Sequence, residues 1–155
     1  MKDIVIKYVT AEYLSALCEF ERQARITEPE IWLQDFNEEE YYNQLVNLNF
    51  DTLENNKIIA AVLDGKIVGR CDIAIIMSLM DCEKTGYIDW VYVLKDKRGI
   101  GIAKKLFKGA EEYFKSKGVK RYYLFTAENE QAHEFYHRQK DLQFSKREVA
   151  EKELL

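Results

Sequence analysis

His133 and His137, in the run "NEQAHEFYHRQ" (129–139), stand four residues apart with Glu134 between them. On a helix that spacing puts two imidazoles one turn apart, where they could share a zinc ion while the carboxylate activates a bound water. A catalytic zinc also takes a third protein ligand. The chain has only these two histidines, so the third would have to be a carboxylate such as Glu148, Glu151 or Glu153 near the chain end. Those positions fall in an expected strand and tail, not on a supporting helix. Hydrolysis at a metal is the weaker use of this segment, and no metal is expected.

A second stretch, "VLKDKRGIGIAKKLF" (93–107), has a different chemistry. An apolar strand runs into a turn with Gly99 and Gly101, and an amphipathic helix begins at once. Helix N-termini leave several N–H groups without intrahelical partners and carry partial positive charge. Small residues let an anion approach that backbone closely, which suits a phosphate or diphosphate. The lysines and the arginine around the turn add attraction. It is not a P-loop, because no G-x-x-x-x-G-K-[ST] occurs. Nor is it a dinucleotide fingerprint, because Lys104 stands where the third Gly or Ala would be.

Several elements must position these residues. "DIVIKYV" (3–9) alternates like a strand, and Thr10 is placed to cap a helix carrying Tyr13, Leu17, Phe20 and Ala24 at helical spacing. Pro29 interrupts it. "NEEEYYNQLVNL" (37–48) opens with Asn37 and Glu40 in capping-box spacing. "KIIAAVLDGKIVGRCDIAIIM" (57–77) reads as two strands joined at Asp64-Gly65. "GYIDWVYVL" (86–94) is a further strand, and the helix after the glycine turn ends at Gly118. "RYYLFTA" (121–127), "NEQAHEFYHRQ" and "LQFSKREVA" (142–150) predict strand, helix and strand. The order β-α-α-β-β-β-α-β-α-β combines early antiparallel hairpins with a late crossover. It predicts an α/β protein with a mixed sheet flanked by helices.

A chain of 155 residues is expected to form one domain, 1–155, with a sizeable core. Its longest apolar runs are too short to span a bilayer, and the N-terminal stretch mixes charge into its apolar residues. Cys18, Cys71 and Cys82 lack C-x-x-C spacing, which predicts reduced thiols and a cytoplasmic protein. A net charge of −4 gives no reason to expect nucleic acid as a partner. The distribution says more. Residues 26–56 hold eight acidic side chains and no Lys or Arg, whereas residues 95–108 hold six basic side chains against Asp96.

Arg98-Gly99-Ile100-Gly101-Ile102-Ala103 fits the [QR]-x-x-G-x-[GA] signature of GCN5-related N-acetyltransferases, and "YIDWVYV" resembles the fourth strand of that family. The likeness is good over residues 58–147 and one of pattern over the first 50. It implies the acyl-CoA N-acyltransferase fold of that family, with acetyl-CoA as donor and a primary amine as acceptor. By resemblance, Val91, Tyr92 and Val93 line the pantetheine arm, and Arg98, Gly99, Ile100, Gly101, Ile102, Ala103 and Lys104 cradle the diphosphate. The family's last helix reads N-x-x-A-x-x-F-Y, which Asn129, Ala132, Phe135 and Tyr136 match. Asn129 would then contact the cofactor arm, and Tyr136 would be the general acid at the sulfur. On that reading His133 and His137 are bystanders.

Transfer needs a neutral amine, although an alkylammonium has a pKa of about 10.4. Asp89 interrupts an apolar strand where the family often carries Glu, which makes it the candidate general base. The competing reading pairs it structurally with Arg70 or Lys66. N–H groups of Val91 or Val93 are candidate oxyanion donors. Tyr87 and Tyr92 could line the acceptor site or simply pack. The acidic 26–56 segment could attract a cationic amine, such as a polyamine, an aminoglycoside or a protein amine, though acids at 38–40 also suit a helix start. The alternatives are a non-catalytic acyl-CoA-sensing domain and a zinc metallopeptidase. "FYHRQKDLQF" lacks the family's following glycine, and only 11 residues remain after Phe144. The sheet is therefore expected either to be one strand short or to be completed in a homodimer, which a single species of monomer mass in sedimentation would reject.

Overall fold

The computed structural model of the chain describes residues 3–32 and 35–155. The described residues form two compact units, one through Leu124 and one from Phe125 onward.

The first unit holds a five-stranded sheet in the order β1-β2-β3-β4-β5: Val5–Tyr8, Asn56–Leu63, Lys66–Ser78, Glu83–Val93 and Tyr122–Leu124. The first four strands are antiparallel neighbours, and β5 lies parallel to β4. That parallel step uses α3 (Ile102–Ser116) as its crossover. The hairpin between β2 and β3 turns on Asp64 and Gly65, both at positive φ (51° and 76°), the backbone of a two-residue primed turn.

Neighbouring residues of a strand face opposite sides, so Gly69 and Arg70 identify the two layers. Gly69 lies against Ile102 and Leu106 of α3. Arg70 reaches Glu21 of α1 (Leu14–Thr27) and Tyr41 of α2 (Glu38–Asn47) on the other side. Under α1, Leu17, Phe20 and Ala24 are buried together with Ile58, Ala60 and Tyr92. Burying a side chain the size of Leu17 or Phe20 contributes about 1.5–3 kcal/mol relative to exposure.

Local signals set the helix ends. Asn37 accepts the Glu40 N–H at 3.0 Å and starts α2, as the capping spacing predicts. α3 closes with Val119 N–H to the Phe114 carbonyl and Gly118 N–H to that of Lys115, a Schellman ending. Thr10 departs from expectation. It precedes a 3-10 turn at Ala11–Tyr13 and gives no side-chain cap, while the Ala11 N–H is taken by Asp51 from 40 residues away.

Gly86 on β4 marks the tightest contact between sheet and helix. A Cβ there would sit 2.7–2.9 Å from ring atoms of Phe114, which is 2 % exposed and stacked on Tyr122. Gly86→Ala should destabilise the protein by about 1–3 kcal/mol, seen as a lower urea midpoint at unchanged slope. An unmoved midpoint would mean that the Phe114 ring can step aside.

The second unit contains α4 (Glu130–His137), capped by Asn129, whose side-chain oxygen accepts the Ala132 N–H at 2.8 Å. The strand expected at 142–150 does not form, and the chain from Arg138 onward has no helix or strand. A strand exists only where a neighbour completes its ladder, and "SKRE" puts four consecutive polar residues through the middle of the segment, all exposed. The expected order therefore ends at α4. β5 is also shorter than the expected 121–127, and among the described residues no strand lies beyond it.

Candidate functional site

β4 is the strand on which the site is built. Its register against β3 runs Asp72↔Trp90 and then Ile73↔Ile88, so Asp89 has no partner and forms a β-bulge. On the opposite side, β4 pairs with β5 only at Gly86, Tyr87 and Ile88. Beyond Ile88 the edge of β4 facing β5 has no strand partner among the described residues and is open in the ladder. Bulge and opening coincide at Asp89.

The ladder also says which groups face that opening. Leu94 N–H donates to the Val68 carbonyl at 3.0 Å, and antiparallel pairs alternate between bonded and non-bonded. Tyr92 and Trp90 are thus the next residues bonded to β3. Val91 and Val93 turn their N–H and C=O toward the open edge, and the Val93 carbonyl accepts from Arg98 Nε at 3.0 Å.

Asp89 itself is exposed, and the Tyr87 hydroxyl is hydrogen-bonded to it. Burial first, then the charge of Asp89 and that hydrogen bond, push the Tyr87 phenol upward. The structural pairings suggested for Asp89 go elsewhere. Arg70 makes a two-pronged bond to Asp72 (2.9 and 2.7 Å) and another to Glu21 (2.5 Å), and Lys66 sits 3.6 Å from Glu19.

The glycine turn follows β4 through a 3-10 turn at Lys95–Lys97. Gly101 is the N-cap of α3 at φ 85°, a left-handed conformation that glycine adopts without strain, and no side chain caps the helix. The first helical bond is Lys105 N–H to the Gly101 carbonyl at 3.1 Å. The N–H groups of Ile102, Ala103 and Lys104 thus precede the helical ladder. A Cβ on Gly99 or Gly101 would meet nothing within 4 Å, so both lie beside open space. Their positive φ (81° and 85°) accounts for the residue type, and the bare backbone leaves room for an anion to lie on it. The residues present fit a diphosphate.

Arg98 behaves differently from its neighbours. Its guanidinium turns inward to the Glu28 carboxylate and lies 5.2 Å from the centre of the Tyr92 ring. The Tyr92 hydroxyl donates to the same carboxylate at 2.6 Å. Burial alone would raise the Glu28 carboxyl, but the hydrogen bonds from Tyr92 and Arg98 outweigh it and hold the group below the usual carboxylate range. Burial, followed by the Glu28 hydrogen bond and charge, drives the Tyr92 phenol well up. The acidic and basic stretches of the sequence thus meet in a direct ion pair. Other acids of 26–56 are likewise used: Glu38 pairs with Arg22 at 3.1 Å, and Asp51 holds Ala11. Beside this network Trp32 lies 5.4 Å from both Trp90 and Tyr92, with the Arg25 guanidinium over its ring. Nothing in the sequence distinguishes Glu28 from the other acids of its stretch.

On α4, Asn129 is the helix cap and Tyr136 is buried. The two histidines are exposed, their ring centres 4.1 Å apart, and His137 stacks on Phe144 at 3.9 Å. Among the described residues no group of three or more His, Cys, Asp or Glu side chains could hold a metal ion, so the metallopeptidase alternative finds no support.

A mixed sheet with one bulged strand running into a glycine turn and a helix N-terminus is an architecture that acetyltransferase structures share. The model of the acetyltransferase (GNAT) family matches residues 17–140, and the chain belongs to that family. As a member it is an acetyl-CoA-dependent N-acetyltransferase. The fold is similar to that of an aminoglycoside acetyltransferase from an uncultured soil metagenomic sample, solved with sisomicin (TM-score 0.75, 16% identity, 98% of this chain and 96% of that one). It also resembles a ribosomal-protein-alanine N-acetyltransferase from Brucella melitensis biovar Abortus 2308 (TM-score 0.75, 16% identity, 97% and 100%). An integron cassette protein from the mobile metagenome of V. cholerae is similar as well (TM-score 0.79, 20% identity, 97% and 92%). No curated protein matches the chain. No helix among the described residues is long and apolar enough to cross a membrane.

Proposed function

We propose that this acetyltransferase moves the acetyl group of acetyl-CoA directly to a primary amine, with Asp89 as general base and Tyr136 as general acid. The observation that carries this reading is the coincidence at Asp89: the bulge, the opening of the β4 edge and the carboxylate occupy one residue. The backbone of 98–104 is the proposed seat of the diphosphate, with N–H groups of Ile102, Ala103 and Lys104 as donors. The open main-chain groups of Val91 and Val93 would run along the pantetheine arm, with one N–H turned to the thioester oxygen. Asn129, whose oxygen caps α4, contributes the start of that helix.

In the reaction the amine nitrogen attacks the thioester carbon. Asp89 takes the amine proton, directly or through a water, as the C–N bond forms. The oxyanion is held by main-chain N–H, the C–S bond breaks, and the Tyr136 hydroxyl protonates the departing thiolate. The Tyr87 hydroxyl would orient the Asp89 carboxylate, as the third group of such constellations does. Three free thiols, two of them buried, fit a reducing compartment and so a cytoplasmic protein. No acyl-cysteine is required: Cys71 is buried, and burial pushes its thiol far up.

The acceptor is read as a cationic amine, supported by exposed acids at Glu39 and Glu40 on α2 and by the aromatic group at Trp32 and Trp90. Release of CoA thiol with sisomicin, spermidine and an alanine-terminated peptide as acceptors tests this. Turnover with at least one, and a fall in kcat of about 100-fold or more in Tyr136→Phe, is expected. Binding of acetyl-CoA by calorimetry with no turnover on any amine would make the chain a sensor instead.

A further inference from the structure

We infer that Glu28 is a positioning residue for the cofactor: through Arg98 it fixes the glycine turn that receives the diphosphate. This rests on the reading that residues 98–104 hold that group, and adds a residue 70 positions away to it.

The turn has little to hold it in place on its own. Neither Gly99 nor Gly101 has a side chain, a Cβ at either would meet nothing within 4 Å, and the helix behind them lacks a side-chain cap. The Arg98 N–H reaches the Lys95 carbonyl only at 3.5 Å. What fastens the entrance of the turn is the Arg98 guanidinium, which donates to the Val93 carbonyl and to both oxygens of Glu28. Glu28 is a firm post. Its N–H donates to the Ala24 carbonyl at the end of α1, and its own carbonyl accepts from Ile31 in the 3-10 turn Pro29–Ile31. Its carboxylate is buried, and Tyr92 of β4 donates to it as well. One carboxylate therefore ties the end of β4, the start of the glycine turn and the end of α1.

Stability is a poor explanation for this arrangement. A buried ion pair is often no better for folding than apolar side chains of similar size, whereas it does fix geometry, because a planar guanidinium accepts few orientations. The geometry fixed here is that of the cradle relative to the open edge of β4. An anion-binding backbone misplaced by about an ångström loses much of its effect.

The test compares two donors, acetyl-CoA and S-acetyl-pantetheine, which carries the thioester arm without the diphosphate. In Glu28→Gln the Kd for acetyl-CoA should rise about tenfold or more, the size expected when a hydrogen bond to a charged group is lost. The kcat/KM with S-acetyl-pantetheine should stay at the wild-type value. Tyr92→Phe, which removes one donor and leaves the ion pair, should move the acetyl-CoA Kd in the same direction by less. If Glu28→Gln melts below the assay temperature, Glu28→Asp, which keeps the charge but draws it back from Arg98 by one methylene, carries the same expectation. An unchanged acetyl-CoA Kd would overturn the inference, and so would an equal loss with both donors, which would make Glu28 merely structural. Failure of the wild-type protein to bind acetyl-CoA would overturn the underlying reading instead.

Discussion

Replacing Gly101 by Val should weaken acetyl-CoA binding by about 100-fold or more, since two charge-assisted hydrogen bonds at roughly 1.5–3 kcal/mol each are lost. Two effects act together. A β-branched residue is strained at φ 85°, by about 1–2 kcal/mol, so the turn would relax toward another backbone and redirect the N–H groups of Ile102 and Ala103. The added side chain would also stand in the open space beside the loop, where an anion has to approach. Calorimetric titration with CoA reads the loss directly. Chemical unfolding should register only the strain, because nothing packs against that position. A variant that binds CoA as tightly as the wild type would place the diphosphate away from this backbone.

Asp89→Asn is the second large effect. Removing a general base typically costs about 10²–10⁴ in rate, so kcat should fall by that order while KM for acetyl-CoA is little changed. The defect should shrink as the pH rises. An alkylamine of pKa about 10.4 is almost wholly protonated at neutral pH, and solvent deprotonates more of it as the pH approaches that value. Rate profiles of the two proteins should therefore converge at high pH. Stability should change by no more than about 0.5 kcal/mol, because the side chain is exposed and its residue makes no ladder pair. Equal turnover by wild type and variant on every amine would move the base to another residue.

What the sequence disclosed was mostly local. Asp64-Gly65, Asn37 with Glu40, and Gly118 each specify a backbone event within a few residues, and each occurs as read. The glycine turn was legible for the same reason, since it is a run of consecutive residues between a strand and a helix start. The strand expected at 142–150 failed because four consecutive polar residues break its apolar pattern and no neighbour among the described residues completes its ladder. Thr10 failed as a cap because the chain opens with a 3-10 turn, in which the Tyr13 N–H is already taken by the Thr10 carbonyl. The pair between Glu28 and Arg98 was invisible in principle. Charge asymmetry between their two segments could be seen, but not that one acid of eight would turn inward to one base of six. The bulge was also hidden, because it is defined by a count of residues on β3 against β4, and either strand alone reads as regular.

That extra residue separates two kinds of selection. The pairing of the two long strands resumes at Trp90, past an exposed residue that makes no ladder pair, so the sheet places little demand on side-chain shape there. A lineage could exchange the carboxylate for another group, gain or lose a proton acceptor, and keep the same scaffold throughout. Sequence drift at this position would then track changes of amine rather than changes of architecture.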